Sequence, residues 1–381
     1  MDMIKRLGEI CNIVSGGTPS RTQTKFWENG NIPWIKIGDI KSKYVNEANE
    51  HITQEGLDGS SAKLLQKGTI LYTIFATLGE VGILTIEACT NQAIAGITIK
   101  NQEEVLPDYL YYYLKSKKAH INEIGRGVAQ NNINMSILRG LNVPLPSVQN
   151  QQKIAEILDM ISNLIVKHKQ QLEKLDELIK ARFVEMFGNI AETVPLSYYI
   201  SALSAGKSLA GEEECSNKVL KTGAATYDYF DSTQIKNLPV DYEPQEEHRV
   251  NTGDVIISRM NTSELVGAAA YVWEAPKCTY LPDRLWRAEI KDTACPIFVW
   301  QVLIQSSTKE SIRRIASGTS GSMKNISKPG LLGIRVNKVP LELQNQFATF
   351  VKQIDKSKVV VQKALDEAQL LFDSKMQEYF G

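Results

Sequence analysis

Asp283, Glu289 and Lys291 are the residue types that hold a divalent metal and assist phosphodiester cleavage. That chemistry needs both carboxylates on one ion. On one continuous strand Asp283 and Glu289 would lie ~20 Å apart, and the interval is too short for most hairpins to set them side by side. That spacing speaks against a shared metal, so a single-chain, Mg-dependent DNA nuclease is only the alternative expectation. Other chemistries have less to stand on. No Gly-x-x-x-x-Gly-Lys-Ser/Thr phosphate loop occurs, and Gly125, Gly127, Gly318 and Gly321 read as turn glycines. No Asp/Asn-Pro-Pro-Tyr/Phe string of amino-methyltransferases is present, so methyl transfer by this chain alone is not expected. Cys11, Cys89, Cys215, Cys278 and Cys295 are scattered, which suits free thiols better than a zinc site or a disulfide framework. The four dispersed His give little support to a Ser/His/Asp or Cys/His site.

The elements that must position any site come in two similar sets. With 381 residues, the chain is long enough for two or three domains. The 43 basic residues balance 43 acidic ones, which excludes binding of polyanions by bulk charge. Leu7–Gly17 resembles Leu196–Gly206, and Lys36-Ile37-Gly38 resembles Lys221-Thr222-Gly223. Gly68-Thr69-Ile70-Leu71 pairs with Gly253-Asp254-Val255-Ile256, and Val81-Gly82 with Val266-Gly267. Asn132-Ile133 pairs with Asn325-Ile326, and Val143-Pro144-Leu145 with Val339-Pro340-Leu341. Order is kept while spacing drifts, as in two copies of one fold whose loops have changed length.

The segments 151–188 and 344–381 match at one constant offset, lack Pro and internal Gly, and both end in Phe-Gly. Each is expected to be one long helix. A seven-residue repeat runs through Ile154, Leu158, Ile161, Ile165, His168, Leu172, Leu175, Ile179, Arg182 and Met186. The same seam recurs at Phe347, Val351, Ile354, Lys358, Val361, Leu365, Ala368, Phe372, Lys375 and Tyr379. Two such stripes in one chain are natural partners in a coiled coil, with polar members such as His168 fixing register. The segments 1–150 and 189–343 read as mixed and strand-rich. Strands are expected within 68–75, 93–100, 253–259 and 267–273, and one helix each over 107–120 and 296–315, both opened by Pro. The fold expected is α+β: two similar domains joined by two long helices forming an antiparallel coiled coil, pseudo-twofold and cyclic.

Local strings then become recognisable. Ser15-Gly16-Gly17-Thr18-Pro19-Ser20, Phe26-Trp27-Glu28-Asn29-Gly30-Asn31-Ile32-Pro33-Trp34-Ile35 and Gly38-Asp39-Ile40 closely resemble the opening of a target recognition domain in the specificity subunits of type I restriction-modification enzymes. Residues 125–134, 141–146 and 149–158 resemble the end of that domain and its helical spacer. The second domain lacks the Gly-Gly-Thr-Pro and Pro-Trp strings, so its assignment rests on the repeat. The resemblance implies a noncatalytic, cytoplasmic, DNA-reading subunit without a membrane segment or cofactor of its own. Each domain (1–150 and 189–343) would read one half of a split site in double-stranded DNA, and the helices (151–188 and 344–381) would set the gap. Two modification subunits would bring S-adenosylmethionine, and restriction subunits would add ATP- and Mg-dependent translocation and cleavage.

Base reading calls for Arg, Lys, Asn and Gln in groove-facing loops, and phosphate contacts for other basic and hydroxyl groups. The first domain offers Thr18, Ser20, Arg21, Lys25, Lys36, Arg126, Gln130, Asn131 and Asn132. The second offers Lys221, Arg259, Asn261, Arg284, Arg287, Arg313, Arg314, Ser320, Lys324 and Asn325. Residues 313–328, basic and free of acidic residues, are the best stretch. For each residue the alternative is a solvated side chain or turn former. For the chain, a protein-binding coiled-coil scaffold is a third reading.

Overall fold

The computed structural model describes residues 3–126, 132–318 and 323–381. The chain forms two compact units, residues 1–170 with 362–381, and residues 171–361.

The first unit is built on a five-stranded sheet in the order Cys11–Ser15, Ile94–Ile99, Ile70–Thr73, Val81–Leu84, Tyr44–Val45, antiparallel except for the last pair. Residues 70–73 are buried throughout, as suits a central strand covered on both faces. The helix Pro107–Ser116 packs against this sheet. Its Tyr109, Tyr112 and Tyr113 are fully buried, and their hydroxyls donate to the Pro144 carbonyl, Asp159 and the Asn142 carbonyl. A smaller sheet combines Glu50–Ile52, Ile32–Ile35 and Cys89–Thr90.

The second unit repeats the plan with a four-stranded antiparallel sheet, Ile200–Ser204, Leu285–Ile290, Val255–Ser258, Ala269–Tyr271, and a smaller one of Ile235–Asn237, Lys218–Leu220 and Thr279–Tyr280. The strands are shorter than the apolar runs suggest. The expected helices are each split. The first ends at Ser116 and a second spans Lys118–Arg126; in the other unit Gln305 is extended (ψ 142°) between Pro296–Ile304 and Ser306–Ile315. The break falls where an all-buried apolar run gives way to an amphipathic one.

Backbone geometry corrects two of the repeat pairings. Gly267 (φ 79°) corresponds to Gly79 (φ 80°) and not to Gly82: their N–H groups donate to the Ser258 and Thr73 carbonyls at 2.7 and 3.0 Å. Both turns require the left-handed region, which only glycine enters freely. Likewise Val143 matches Val336, not Val339, because Met3–Arg6 pairs with Asn142–Leu145 just as Thr193–Pro195 pairs with Arg335–Asn337.

The long helices span Val148–Phe187 and Leu341–Phe380, each 40 residues and about 60 Å in length. Both begin three residues earlier than 151 and 344, since Pro146 and Pro340 stand just ahead of them. Every position of the two seams is buried or half-buried, while most of the flanking positions are exposed. In the first unit Leu158, Ile161 and Ile165 share a core with Leu365, Ala368 and Phe372. In the second, Ile179 and Phe183 share one with Phe347, Val351 and Ile354. Lys358 pairs with Asp176 across the seam of the second unit, and Arg182 and Lys375 pair with Glu185 and Glu378 on their own helices.

Two features close each unit in the same way. Gln151 and Gln344, 0% and 1% exposed, sit in the first turn of the long helices. Gln151 accepts from the Leu106 N–H at 2.9 Å and donates to the Glu104 and Pro146 carbonyls; Gln344 accepts from the Cys295 N–H at 2.9 Å and donates to the Val339 carbonyl. Phe187 packs edge-on against Phe298 and Phe347 in the second unit, and its repeat mate Phe380 packs against Tyr109 and Tyr113 in the first. The end of each long helix thus plugs an equivalent aromatic socket, which makes the organisation cyclic.

Candidate nucleic-acid interface

In the second unit the polar loops converge at the end of the central strand. Met260–Asn261 pairs with Lys324–Asn325, and the Arg259 carbonyl accepts from the Ile326 N–H at 3.1 Å. Arg259 lies over the Trp286 ring (5.6 Å) and donates to the Asp283 carbonyl at 3.4 Å. Asn261 reaches Thr226 at 3.4 Å, and the Lys324 ammonium donates to the Gly318 carbonyl at 2.8 Å. Buried polar groups normally find partners. Here Ser258 Oγ, Arg259 Nε, Trp286 Nε1 and Asn325 Oδ1 are buried with none among the described residues. Unmet hydrogen-bonding capacity therefore gathers at one place beneath this surface.

The first unit has the same scaffold with different residues on it. Phe75 bridges Asn132, and the Ile133 N–H donates to the Ile74 carbonyl at 3.1 Å, matching the Ile326–Arg259 bond of the other unit. Where the second unit has Arg259, Met260 and Asn261, the first has Ile74, Phe75 and Ala76. Gln130, Asn131 and Ser320, and the side chain of Arg126, lie outside the described residues.

Other predicted residues fall into distinct groups. Arg21 and Lys36 share the carboxylate of Glu50, which their hydrogen bonds hold below the usual carboxylate range against a smaller opposing effect of burial. Arg21 also stacks over Trp27 at 3.6 Å. Thr18 donates to Gln92, Ser20 contacts Thr22, and Lys25 pairs with Glu55 at 2.9 Å. The neighbouring glycine string is a packing device: a Cβ on Gly17 would lie 2.4 Å from the Ala62 nitrogen, and the Gly17 carbonyl accepts from the Trp34 indole at 2.9 Å. Lys221 and Arg284 are exposed. Arg313 donates to the Glu264 carbonyl at 3.3 Å, and Arg314 faces Glu310 at 3.8 Å. Arg287 is different. Only 14% of its side chain is exposed, and its guanidinium is occupied by Glu289, Asp254 and the Arg249 and Glu247 carbonyls. Its donors are used within the domain, which corrects its nomination as a groove-facing arginine.

The nuclease string does not converge. Asp283 bonds Ser208, Glu289 bonds Ser204 and Arg287, and Lys291 donates to the Ser197 carbonyl. No group of His, Cys, Asp and Glu able to hold a metal occurs among the described residues. All five cysteines are free, and burial pushes the Cys11 thiol up to about 12 and that of Cys89 to about 11, far from a reactive thiolate. No helix among the described residues is long and apolar enough to cross a membrane.

Residue types alone did not single out a basic groove in the first unit. It has a volume of about 1310 Å³, with Lys115, Lys117 and Lys169 above an apolar floor that includes Phe372, Met376 and Phe380. Nor did they mark Lys43, 14% exposed and bracketed by Asp108 and Asp159. The signal for the groove is the run Lys115-Ser116-Lys117-Lys118, which straddles the end of the helix Pro107–Ser116.

Residues 3–177 match the type I restriction modification DNA specificity domain. A specificity subunit of the type I restriction enzyme MjaIX from Methanocaldococcus jannaschii is 32% identical over 189 residues, 48% of this chain but only 43% of that relative's length. The MjaVIII specificity subunit of the same organism is 24% identical over 381 aligned positions, covering 92% of this chain and 85% of the relative. The crystal structure of a type I restriction-modification S subunit from M. genitalium shares the fold with a TM-score of 0.60 at 16% identity, over 100% of this chain and 96% of that one. Residues 3–177 thus match a type I restriction modification DNA specificity domain, and over its whole length the chain is similar in sequence to a type I specificity subunit and in fold to an S subunit.

Proposed function

We propose that this chain is the noncatalytic DNA-reading subunit of a type I restriction-modification complex, with each α+β domain (1–150 and 189–343) reading one half of a bipartite, asymmetric site in duplex DNA. The observation that carries this reading is the pair of equivalent loop junctions, Phe75 with Asn132 and Met260 with Asn325. One scaffold presents two different side-chain sets, as two readers of unlike half-sites require. Balanced charge fits the same role: Met1 to Gly381 carries no net charge, so nonspecific phosphate attraction by the lone subunit is weak and affinity depends on local contacts and partners.

In this reading the long helices set the gap between half-sites, and two modification subunits dock against them and the domains. Exposed apolar residues on the helices, Met160, Leu164 and Leu370 in the first unit and Val359 and Val360 in the second, suit such docking. The groove of Lys115, Lys117 and Lys169 offers an acidic partner surface a further foothold. S-adenosylmethionine would reside on the modification subunits, and ATP and Mg on restriction subunits, all in the cytoplasm beside the DNA.

The test is a domain exchange. Residues 189–343 are replaced by those of a relative, and methylated sites are mapped in genomic DNA with the modification subunits present. One half of the site should change while the other persists. A change in both halves, or methylation at the original site without this chain, would refute the reading.

A further inference from the structure

We propose that Tyr227 and Tyr229 form an aromatic contact of the second domain with DNA, their rings packing against base and sugar edges in the groove of that half-site. The proposal rests on the DNA-reading role above and adds residues that charge-based selection passes over.

Large apolar rings in a folded domain are normally withdrawn from water, yet Tyr227 and Tyr229 are 67% and 56% exposed and stack on each other with centroids 6.4 Å apart. Neither hydroxyl has a hydrogen-bond partner among the described residues. The residue between them explains why they face outward. Asp228 occupies the left-handed region (φ 65°), which an aspartate enters at some cost. Its carboxylate accepts from the Ala269 N–H at 3.2 Å and pairs with Lys309, whose side chain is only 21% exposed. The Asp228 side chain is thus held against the domain, and its two neighbours are left on the surface. An uncommon backbone conformation fixed from two sides is the kind of feature that collects at binding sites.

The loop also sits beside the candidate interface. Thr226 accepts from Asn261, whose strand pairs with Lys324 and Asn325, and Lys309 belongs to the same helix as Arg313, which reaches the loop following Asn261. The aromatic pair therefore adjoins basic and amide groups suited to phosphates and base edges. Tyrosine can supply both an apolar face for a thymine methyl or deoxyribose and a hydroxyl for polar contact.

The first domain gives the contrast. By the repeat that aligns Lys36 with Lys221, Asp228 corresponds to Lys43 and Tyr229 to Tyr44. Lys43 is anchored by Asp108 and Asp159, an ionic anchor of reversed charge, and the Tyr44 hydroxyl donates to Asp108 at 2.8 Å. The same loop is fastened in both domains. Only in the second does it present two tyrosines without internal hydrogen bonds.

The experiment uses the full chain assembled with its modification subunits and a duplex carrying the site found by mapping genomic methylation. The Tyr227→Ala/Tyr229→Ala double variant is expected to melt like the parent, because both rings are exposed. It should bind about tenfold or more weakly and tolerate more sequences in the second half-site alone. The double Phe variant keeps the rings and should stay within about threefold. Binding within about twofold by the double Ala variant, with an unchanged methylation profile, would overturn the proposal. So would equal losses in the Phe and Ala variants, which would place the hydroxyls on phosphates. Absence of bipartite recognition by the parent complex would instead overturn the DNA-reading role itself, a separately visible result.

Discussion

Replacing Gln151 by Met removes one amide from the base of the first long helix while nearly preserving side-chain volume. The Leu106 N–H would lose its acceptor, and the Glu104 and Pro146 carbonyls would lose a donor. The site is 0% exposed, so water cannot take over these bonds without opening the packing. Leaving one buried polar group unsatisfied costs about 1–3 kcal/mol. Carbonyls retain a second lone pair and suffer less than an N–H, so the three together should cost about 3 kcal/mol. For a unit of this size that corresponds to a fall in melting temperature of roughly 6–12 °C. The assay is thermal or urea unfolding of the full chain, with amide exchange at Leu106 as the local probe. Gln344→Met at the repeat position should produce a similar loss, with the Cys295 amide as its probe. Destabilisation below about 1 kcal/mol in both variants, with slow exchange retained at Leu106, would refute the argument that these glutamines satisfy the helix entry.

Other expectations follow from the same structure. Arg287→Ala should destabilise the second unit by about 3 kcal/mol, because Asp254 and Glu289 lose their cation inside the domain; exposed Arg284→Ala should melt like the parent and weaken DNA binding by the assembled complex. Equal melting of the two variants would contradict this division. Phe380→Ala empties the socket formed by Tyr109 and Tyr113 and should cost about 3–5 kcal/mol, measured by urea unfolding; an unchanged midpoint would mean that the plug is ornamental. In alkali, burial pushes the Tyr111 hydroxyl up to about 12, and the bonds of Lys43 to Asp108 and Asp159 outweigh its burial and raise its pKa. Native groups with raised pKa keep protons that the unfolded chain releases, so their stabilisation is complete below about pH 10 and is lost as pH rises further. Melting midpoints between pH 8 and 11 should therefore fall steeply from about pH 10, less so in Tyr111→Phe, whereas a flat profile would contradict the assignment.

How much could be read from sequence differs by physical cause. The helices were legible because a seam repeats over many turns, so an error in one residue does not shift the pattern. The turn at Gly253 matches Gly68 because both need positive φ, but in sequence Gly82 reads as the partner of Gly267 because two glycines stand close together and only backbone torsion tells Gly79 apart. Charge could not separate Arg284 from Arg287: the difference is burial, set by Asp254 and Glu289 reaching the same guanidinium. Gln151 was visible but mute, since a glutamine in a first helical turn is ordinarily solvated. Tyr227 and Tyr229 were hidden by their own type, because tyrosine in a strand-rich sequence reads as core.

The matching sockets for Phe187 and Phe380 also bear on ancestry and on engineering. Each unit is completed by the end of the long helix that begins in the other repeat, so the two repeats are joined in equivalent ways. In such an arrangement the order of the segments is partly arbitrary: a permuted chain beginning near Thr193, with residues 323–381 placed ahead of residue 3, would specify the same pair of cores. The duplicated plan also suggests a simpler ancestor, a half-length chain pairing with its twin, which under the proposed function would have been limited to palindromes. Fusion would have released the two halves to diverge, and under the proposed function that freedom would bring an asymmetric vocabulary in which either word could be rewritten while the other is kept.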